Sequence, residues 1–166
     1  EFKNPAQKDA IRVAVQIGIL RHATLDREPT RPADKRINAA TRAAIEAEML
    51  ALVKAKQPPS GRQPEAHAWM QRRGLEILAA LGSVGVREEV NRAIDELIAD
   101  HDASLTLRCT AASLLRHVSA TGQQKPNLDP ADVSLKLGAL AVQACHGELD
   151  RIAADKKKEQ EKLASA

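Results

Sequence analysis

The side chains in this chain that most often carry chemistry in proteins belong to five histidines and two cysteines. A helical metal site needs its ligands on one face, three or four residues apart. No two histidines are four residues apart, and His146, Glu148 and Asp150 follow one another at intervals of two, which points them to different faces. We therefore predict no metal site. The histidines are His22, His67, His101, His117 and His146.

Other catalytic and cofactor-binding motifs are missing as well. The stretch Gly82-Ser-Val-Gly85 follows no strand, so it lacks the context of a phosphate-binding loop. No Gly-x-Ser-x-Gly sequence occurs. The acidic pairs Glu88-Glu89 and Asp95-Glu96 lie in an amphipathic pattern and are interpreted as parts of a solvated face. We therefore predict a protein that is not an enzyme and holds no cofactor.

The two cysteines, Cys109 and Cys145, lie in segments that we expect to be antiparallel helices joined by a loop at 121–129. In that arrangement residue 109 lies level with about residue 142, and three residues of helix rise about 4.5 Å. The two thiols are then close neighbours in the core. The favoured interpretation is a pair of reduced, buried side chains, and the alternative is one disulfide in an exported protein.

Composition indicates a globular chain with an uneven charge. Of the 166 residues, 43% are hydrophobic, 28% are charged and 1% are aromatic. Residues 1–64 hold 12 Lys/Arg against 7 Asp/Glu, and residues 65–166 hold 13 against 15. The scarcity of aromatic residues argues against sugar sites and base-stacking platforms. No apolar run approaches the roughly 18 residues of a membrane span, so we expect no membrane insertion of this segment. The compartment is left open.

Pro and Gly residues divide the chain into six segments whose apolar residues recur at threes and fours, as in amphipathic helices. No stretch shows the period-two alternation of a strand, which predicts an all-α fold. Local signals mark the helix ends: Gly82 as a stop, Ser104 as an N-cap, and Asp129-Pro130 as a cap and first turn. The segments run from about 5 to 25, 33 to 56, 65 to 81, 86 to 100, 104 to 120 and 129 to 152.

On the first segment, one face is expected to pack against the core. Residues 153–166 are charged and repetitive, which predicts a helical extension or a frayed tail. The face on the first segment comprises Ile11, Ala14, Val15, Gly18, Ile19 and His22.

The third and fifth segments show an internal repeat. A shift of 36 residues aligns Arg72 with Arg108 and Leu78 with Leu114. Each stretch is followed by a second helix, and two-helix units that repeat at such intervals are typical of helical solenoids. With an Arg early in the first helix, followed by small and aliphatic residues and Leu, residues 65–152 resemble the HEAT-like (armadillo-type) repeat family. The resemblance implies three stacked helix pairs, at about 5–57, 65–101 and 104–152, in a short right-handed α-solenoid. The alternative is a globular six-helix bundle.

Within this resemblance, four arginines and the single Trp are the candidate partner-binding residues. Arginines on successive first helices form either a ridge for an acidic partner or internal braces that pair with neighbouring helices, and we favour braces for Arg72 and Arg108. Trp69 is expected to pack against the second helix or to anchor a partner. The candidate set is Trp69, Arg72, Arg73, Arg108 and Arg116.

The function expected from these observations is a non-catalytic protein-interaction or scaffold module whose partner is another, unidentified protein. The alternative is binding of the nucleic-acid backbone, as in HEAT-like DNA-repair proteins. An enzyme on the same scaffold, such as a chromophore lyase, is the least favoured. The chain opens with Glu1-Phe2 and no Met, so we expect a domain of a larger bacterial protein.

Overall fold

The computed structural model of the chain describes residues 8–118 and 127–164, with side chains up to residue 161. These residues form six α-helices and no strand, which confirms the all-α prediction. Helices α1 to α5 belong to one compact unit, and α6 belongs to a second. The helices are α1 (Asp9–Leu25), α2 (Ala39–Lys54), α3 (Pro64–Ala80), α4 (Glu88–Ala99), α5 (Leu105–Leu114) and α6 (Pro130–Ala164).

Three helix ends lie where the local signals predict. The Ser104 side chain accepts a hydrogen bond from the Leu107 amide at 3.3 Å and caps α5. The Asp129 carboxylate accepts one from the Ala131 amide at 2.9 Å. Gly82 follows α3 with φ 75°, and the next amide, that of Ser83, donates back to Leu78 at 3.0 Å. Such signals act within one helical turn, which explains why the sequence alone locates them.

Two predicted helices are shorter than expected. The segment 33–56 is broken: a 3₁₀ turn at Ala33–Lys35 precedes α2, and Asn38 caps α2 by accepting from the Thr41 amide at 2.8 Å. Between them, the Ile37 amide donates to the Asp26 carboxylate at 3.0 Å instead of continuing a helix. The segment 104–120 leaves the α conformation after Leu114 and ends in a 3₁₀ turn at Leu115–His117; residues 119 and 120 lie outside the described residues.

Helix α3 is the centre of the first unit, because α1, α2 and α5 all pack against it. Helix α4 packs against α2 and α5. Helices α2 and α3 are antiparallel. Gly74 of α3 faces Met49 and Val53 in the second half of α2, whereas Gln71, earlier in α3, reaches Ala55 just after α2 ends. The predicted first pair, α1 with α2, is not a close-packed hairpin in this unit.

The core of the unit lies between these helices and is aliphatic. Aliphatic cores of this kind stabilise a fold by removing apolar surface from water, at about 25 cal/mol per Å². The largest fully buried apolar side chains are Met49, Met70, Leu75, Ile77, Leu78, Ile94 and Ile98.

The buried face of α1 differs from the predicted one. Arg12, Gln16 and Ala23 are buried against the core, whereas Ile11 is 40% exposed. The Gln16 amide donates to the Met70 carbonyl oxygen of α3 at 3.0 Å. Burial of a polar side chain is tolerated when it is hydrogen-bonded. Apolar periodicity could not have identified this face, because polar partners on α3 determine it.

Helix α6 is described by itself. Its 35 residues extend to Ala164, so the charged tail is helical over its described part. Ion pairs one turn apart support the helix: Lys136 with Asp132 at 2.6 Å, and Arg151 with both Glu148 and Asp155. Pairs at this spacing each stabilise a helix by about 0.2–0.5 kcal/mol.

Candidate partner-binding site

Trp69 and Arg73, two of the predicted residues, lie together on α3. The Arg73 guanidinium stacks over the Trp69 ring, 4.9 Å from its centroid, and pairs with Glu76 one turn further on. Both side chains are half-buried. The cation is therefore already engaged twice by its own helix, which leaves it less available to an acidic partner.

Arg72, Arg108 and Arg116 do not form a ridge. Arg108 is 1% exposed, and its Nε donates to the Ile98 carbonyl oxygen, in the last turn of α4, at 2.9 Å. Arg108 is thus an internal brace, as the favoured interpretation required. Arg72 is half-buried and its Nε has no hydrogen-bond partner, while Arg116 is exposed at the end of the first unit's last 3₁₀ turn.

The brace that corresponds to Arg108 is Gln71, which the sequence interpretation did not include. The Gln71 Nε2 is buried 2.9 Å from the Ala55 carbonyl oxygen and 3.3 Å from those of Leu52 and Val53, at the end of α2. In both cases a long polar side chain of one helix donates to carbonyl oxygens at the end of the preceding helix, where intrahelical donors run out. Gln71 and Arg108 thus make the same kind of contact, whereas the sequence aligned Arg72, one residue further on, with Arg108.

Arg116 lies beside His117, with 3.4 Å between its Nε and the His117 Nε2. Burial, together with the positive charges of Arg116 and Arg27, lowers the pKa of His117 below its ordinary value. The neutral imidazole is the form that these surroundings favour.

Both cysteines are free thiols and both are exposed, so the prediction that they are buried is wrong. On α5, the buried positions are Leu107, Arg108, Ala111 and Leu114, and Cys109 lies on another side of the helix. Arg108, the neighbour of Cys109 in the chain, takes the position that faces the core, and Cys109 is therefore exposed. Two free thiols agree with the favoured interpretation of reduced side chains, and the alternative, a disulfide between Cys109 and Cys145, is not formed in this structure.

The structure also contains a groove, of about 470 Å³, that opens between α1 and α2. Its apolar lining comes from Val15 and Ile19 of α1 and from Ile37 and Ile45, before and within α2; all four are half-buried. Apolar clefts of this size are typical binding sites in proteins. The predicted core face of α1 thus forms one wall of a groove, and its periodicity is the sequence signal that marks this surface.

One end of the groove is basic. His22, Lys35 and Arg36 line it, and all three are exposed. Among the described residues, no carboxylate forms an ion pair with Lys35 or Arg36. The Arg36 guanidinium instead donates to the carbonyl oxygens of Arg31 and Pro29, at 3.2 and 3.4 Å, which holds this charge in place at the rim.

Gly18, in the middle of α1, lies on the same wall of the groove. Glycine within a helix costs about 0.5–1 kcal/mol relative to alanine. Packing inside the described part of the chain does not require it, since a Cβ at this position would meet no atom within 4 Å. Gly74 of α3 is different, because a Cβ there would contact Val53 at 3.4 Å.

Within the described residues, no group of three or more His, Cys, Asp or Glu side chains is placed to hold a metal ion. No described helix is both long and apolar enough to cross a membrane. No protein-family model, curated protein or solved structure matches the chain.

Proposed function

We propose that this chain is a non-catalytic protein-interaction module, built as a short HEAT-like array of helices, and that its partner binds in the groove between α1 and α2. The observation that carries the proposal is the groove itself: an open apolar cleft lined by the helix face whose periodicity is that of a core surface.

The packing within the first unit supports a repeat array. Helix α3 lies against α1 on one side and α5 on the other, and α2 lies against α4. Contact between every second helix is the pattern of stacked helix pairs, in which each unit buries its apolar face against the next. The equivalent braces Gln71 and Arg108, both at the end of the preceding helix, add a second line of support.

The test begins with affinity capture from native extract, with the complete chain as bait. A captured protein is then purified and titrated against the chain by calorimetry. The groove variant is Gly18→Leu, which places a side chain in the cleft at a position where a Cβ meets no atom within 4 Å. The matched control is Gly138→Leu on α6, where a Cβ also meets no atom within 4 Å. Circular dichroism confirms that both variants are folded.

We expect a stoichiometric complex with the wild type and the control, and its loss with Gly18→Leu. A complex that survives Gly18→Leu but is lost with Trp69→Ala would move the site to α3 and leave the function standing. The proposal is wrong if the purified chain has a turnover activity of its own. It is also wrong if the capture yields nucleic acid alone, bound with the steep salt dependence of phosphate contacts.

A further inference from the structure

The groove has features that specify the chemistry of its occupant. Its two apolar walls come from different parts of the chain, and the wall on α1 runs from Val15 to His22. From Val15 to His22 the wall is eight residues long, which is about 10.5 Å of helix. A partner segment of about two helical turns has this length.

The charge at the groove selects one kind of segment. The lining includes His22, Lys35 and Arg36 and contains no Asp or Glu. Asp26, the nearest buried carboxylate in the sequence, is occupied by the Arg42 guanidinium at 2.5 Å and by the Ile37 amide. The cations Lys35 and Arg36 beside an apolar floor attract a segment that is acidic on one side and apolar on the other.

Gly18 adds a steric argument. It removes a side chain from the middle of the apolar wall, where nothing in the described chain approaches. Small residues at such a position let a second helix backbone come close. Gly138 of α6 is equally open, so the missing side chain at Gly18 provides room for a docking helix, and the groove around it supplies the apolar contacts.

From this geometry we infer that the groove between α1 and α2 binds an acidic amphipathic helix of a partner protein, with the apolar side chains of that helix on Val15, Ile19, Ile37 and Ile45 and its carboxylates on Lys35 and Arg36. The inference rests on the proposed function and names its class of partner. Helix-in-groove recognition of this kind uses apolar anchors at i, i+3, i+4 and i+7.

The experiment uses three fluorescein-labelled peptides of about fifteen residues and the complete chain, with binding followed by fluorescence anisotropy. The first peptide has Leu at i, i+3, i+4 and i+7 and Glu on its other face. The second replaces each Glu by Lys. The third has the composition of the first in an order that abolishes the apolar face. A 20-base-pair DNA duplex serves as competitor.

We expect the first peptide to bind at least tenfold more tightly than the other two. Gly18→Leu should weaken it at least tenfold, and Gly138→Leu should not. The double variant Lys35→Glu, Arg36→Glu should reverse the preference between the Glu and Lys peptides. Its control, Lys157→Glu with Lys158→Glu on α6, makes the same change in net charge and should leave the preference intact.

Equal binding of the three peptides, no binding of any of them, or an affinity unaffected by both groove variants would overturn the inference. Displacement of the peptide by the duplex, in a manner that depends on salt and not on Gly18, would overturn it in favour of a nucleic-acid surface. If no peptide binds but a captured protein still requires Gly18, the partner chemistry is wrong and the interaction function stands. If the capture fails as well, both are wrong.

Discussion

Replacement of Gln71 tests whether this side chain, and not the neighbouring arginine, holds α2 to α3. Gln71→Leu keeps the approximate size of the side chain and removes its donor. The Gln71 Nε2 has two hydrogens and lies 2.9, 3.3 and 3.3 Å from three carbonyl oxygens at the end of α2. Two hydrogen bonds are therefore lost. The Ala55 oxygen keeps the His67 Nε2 at 3.0 Å and the Leu52 oxygen keeps the Ala55 amide at 3.2 Å, so the Val53 oxygen is the acceptor that loses its partner.

The expected loss of stability follows from these contacts. A hydrogen bond contributes about 1 kcal/mol net, and a buried acceptor left unsatisfied costs about 1–3 kcal/mol. We expect Gln71→Leu to lower the free energy of unfolding by ~3 kcal/mol. For a chain of this size, that change lowers Tm by about 6–12 °C.

A second substitution makes the test depend on pH. In Gln71→Glu a carboxylate, which can only accept, faces three carbonyl oxygens at neutral pH. These surroundings favour the protonated acid, so the folded-state pKa of the introduced group is raised above about 4.3, its ordinary value. Its stability contribution is then present at low pH and lost as pH rises through the raised pKa. At pH 7, the free energy of unfolding should be lower for Gln71→Glu than for Gln71→Leu. This difference between the two variants should narrow as the pH falls towards 4.5.

Urea unfolding followed by circular dichroism and by the fluorescence of Trp69, the single Trp of the chain, reports the change. Trp69 lies on α3, two residues from the substituted position. The exposed Gln57→Glu provides a control for the added charge. A loss below about 0.5 kcal/mol for Gln71→Leu, or no pH dependence that is specific to Gln71→Glu, would refute the assignment of Gln71 as the brace.

Three further results are expected. Gly18→Ala should raise the free energy of unfolding by about 0.5–1 kcal/mol, because the added methyl meets nothing within 4 Å; an unchanged or lower urea midpoint would argue against an open wall. Gly85→Ala should destabilise by about 2 kcal/mol or more, since φ is +84° and the Cβ would lie 2.9 Å from the His117 carbonyl oxygen; a wild-type Tm would contradict that close approach. His117 has a pKa lowered by burial and by the charges of Arg116 and Arg27, so the unfolded state binds its proton more readily. The stability that neutral His117 contributes is therefore present above about pH 6.5 and lost as pH falls below it, and His117→Asn should flatten this part of the unfolding profile; a profile that stays as steep would show that another group titrates.

Some residues of the candidate site could be placed from the sequence, and others could not. Trp69 and Arg73 are adjacent because four residues are one helical turn, which follows from the sequence alone. The inward position of Arg108 was favoured from the repeat, which placed it level with Arg72. The 36-residue alignment then assigned the equivalent role to Arg72, one residue away from Gln71. A difference of one residue turns a side chain by about 100° around a helix, so small errors of register change which residue is inside.

Features that depend on a single turn of chain could be predicted from the sequence: the all-α class, the stop at Gly82 and the caps at Ser104 and Asp129. Tertiary structure decided which surface of each helix is covered. Helix α1 has apolar residues around more than half of its circumference, and α3 can cover only one side of it. The buried side of α1 carries Gln16, whose amide donates to the Met70 carbonyl oxygen, and the apolar face with Val15 and Ile19 is left open in the groove. Burial depends on partners distant in sequence, and no local pattern encodes which partner will be there.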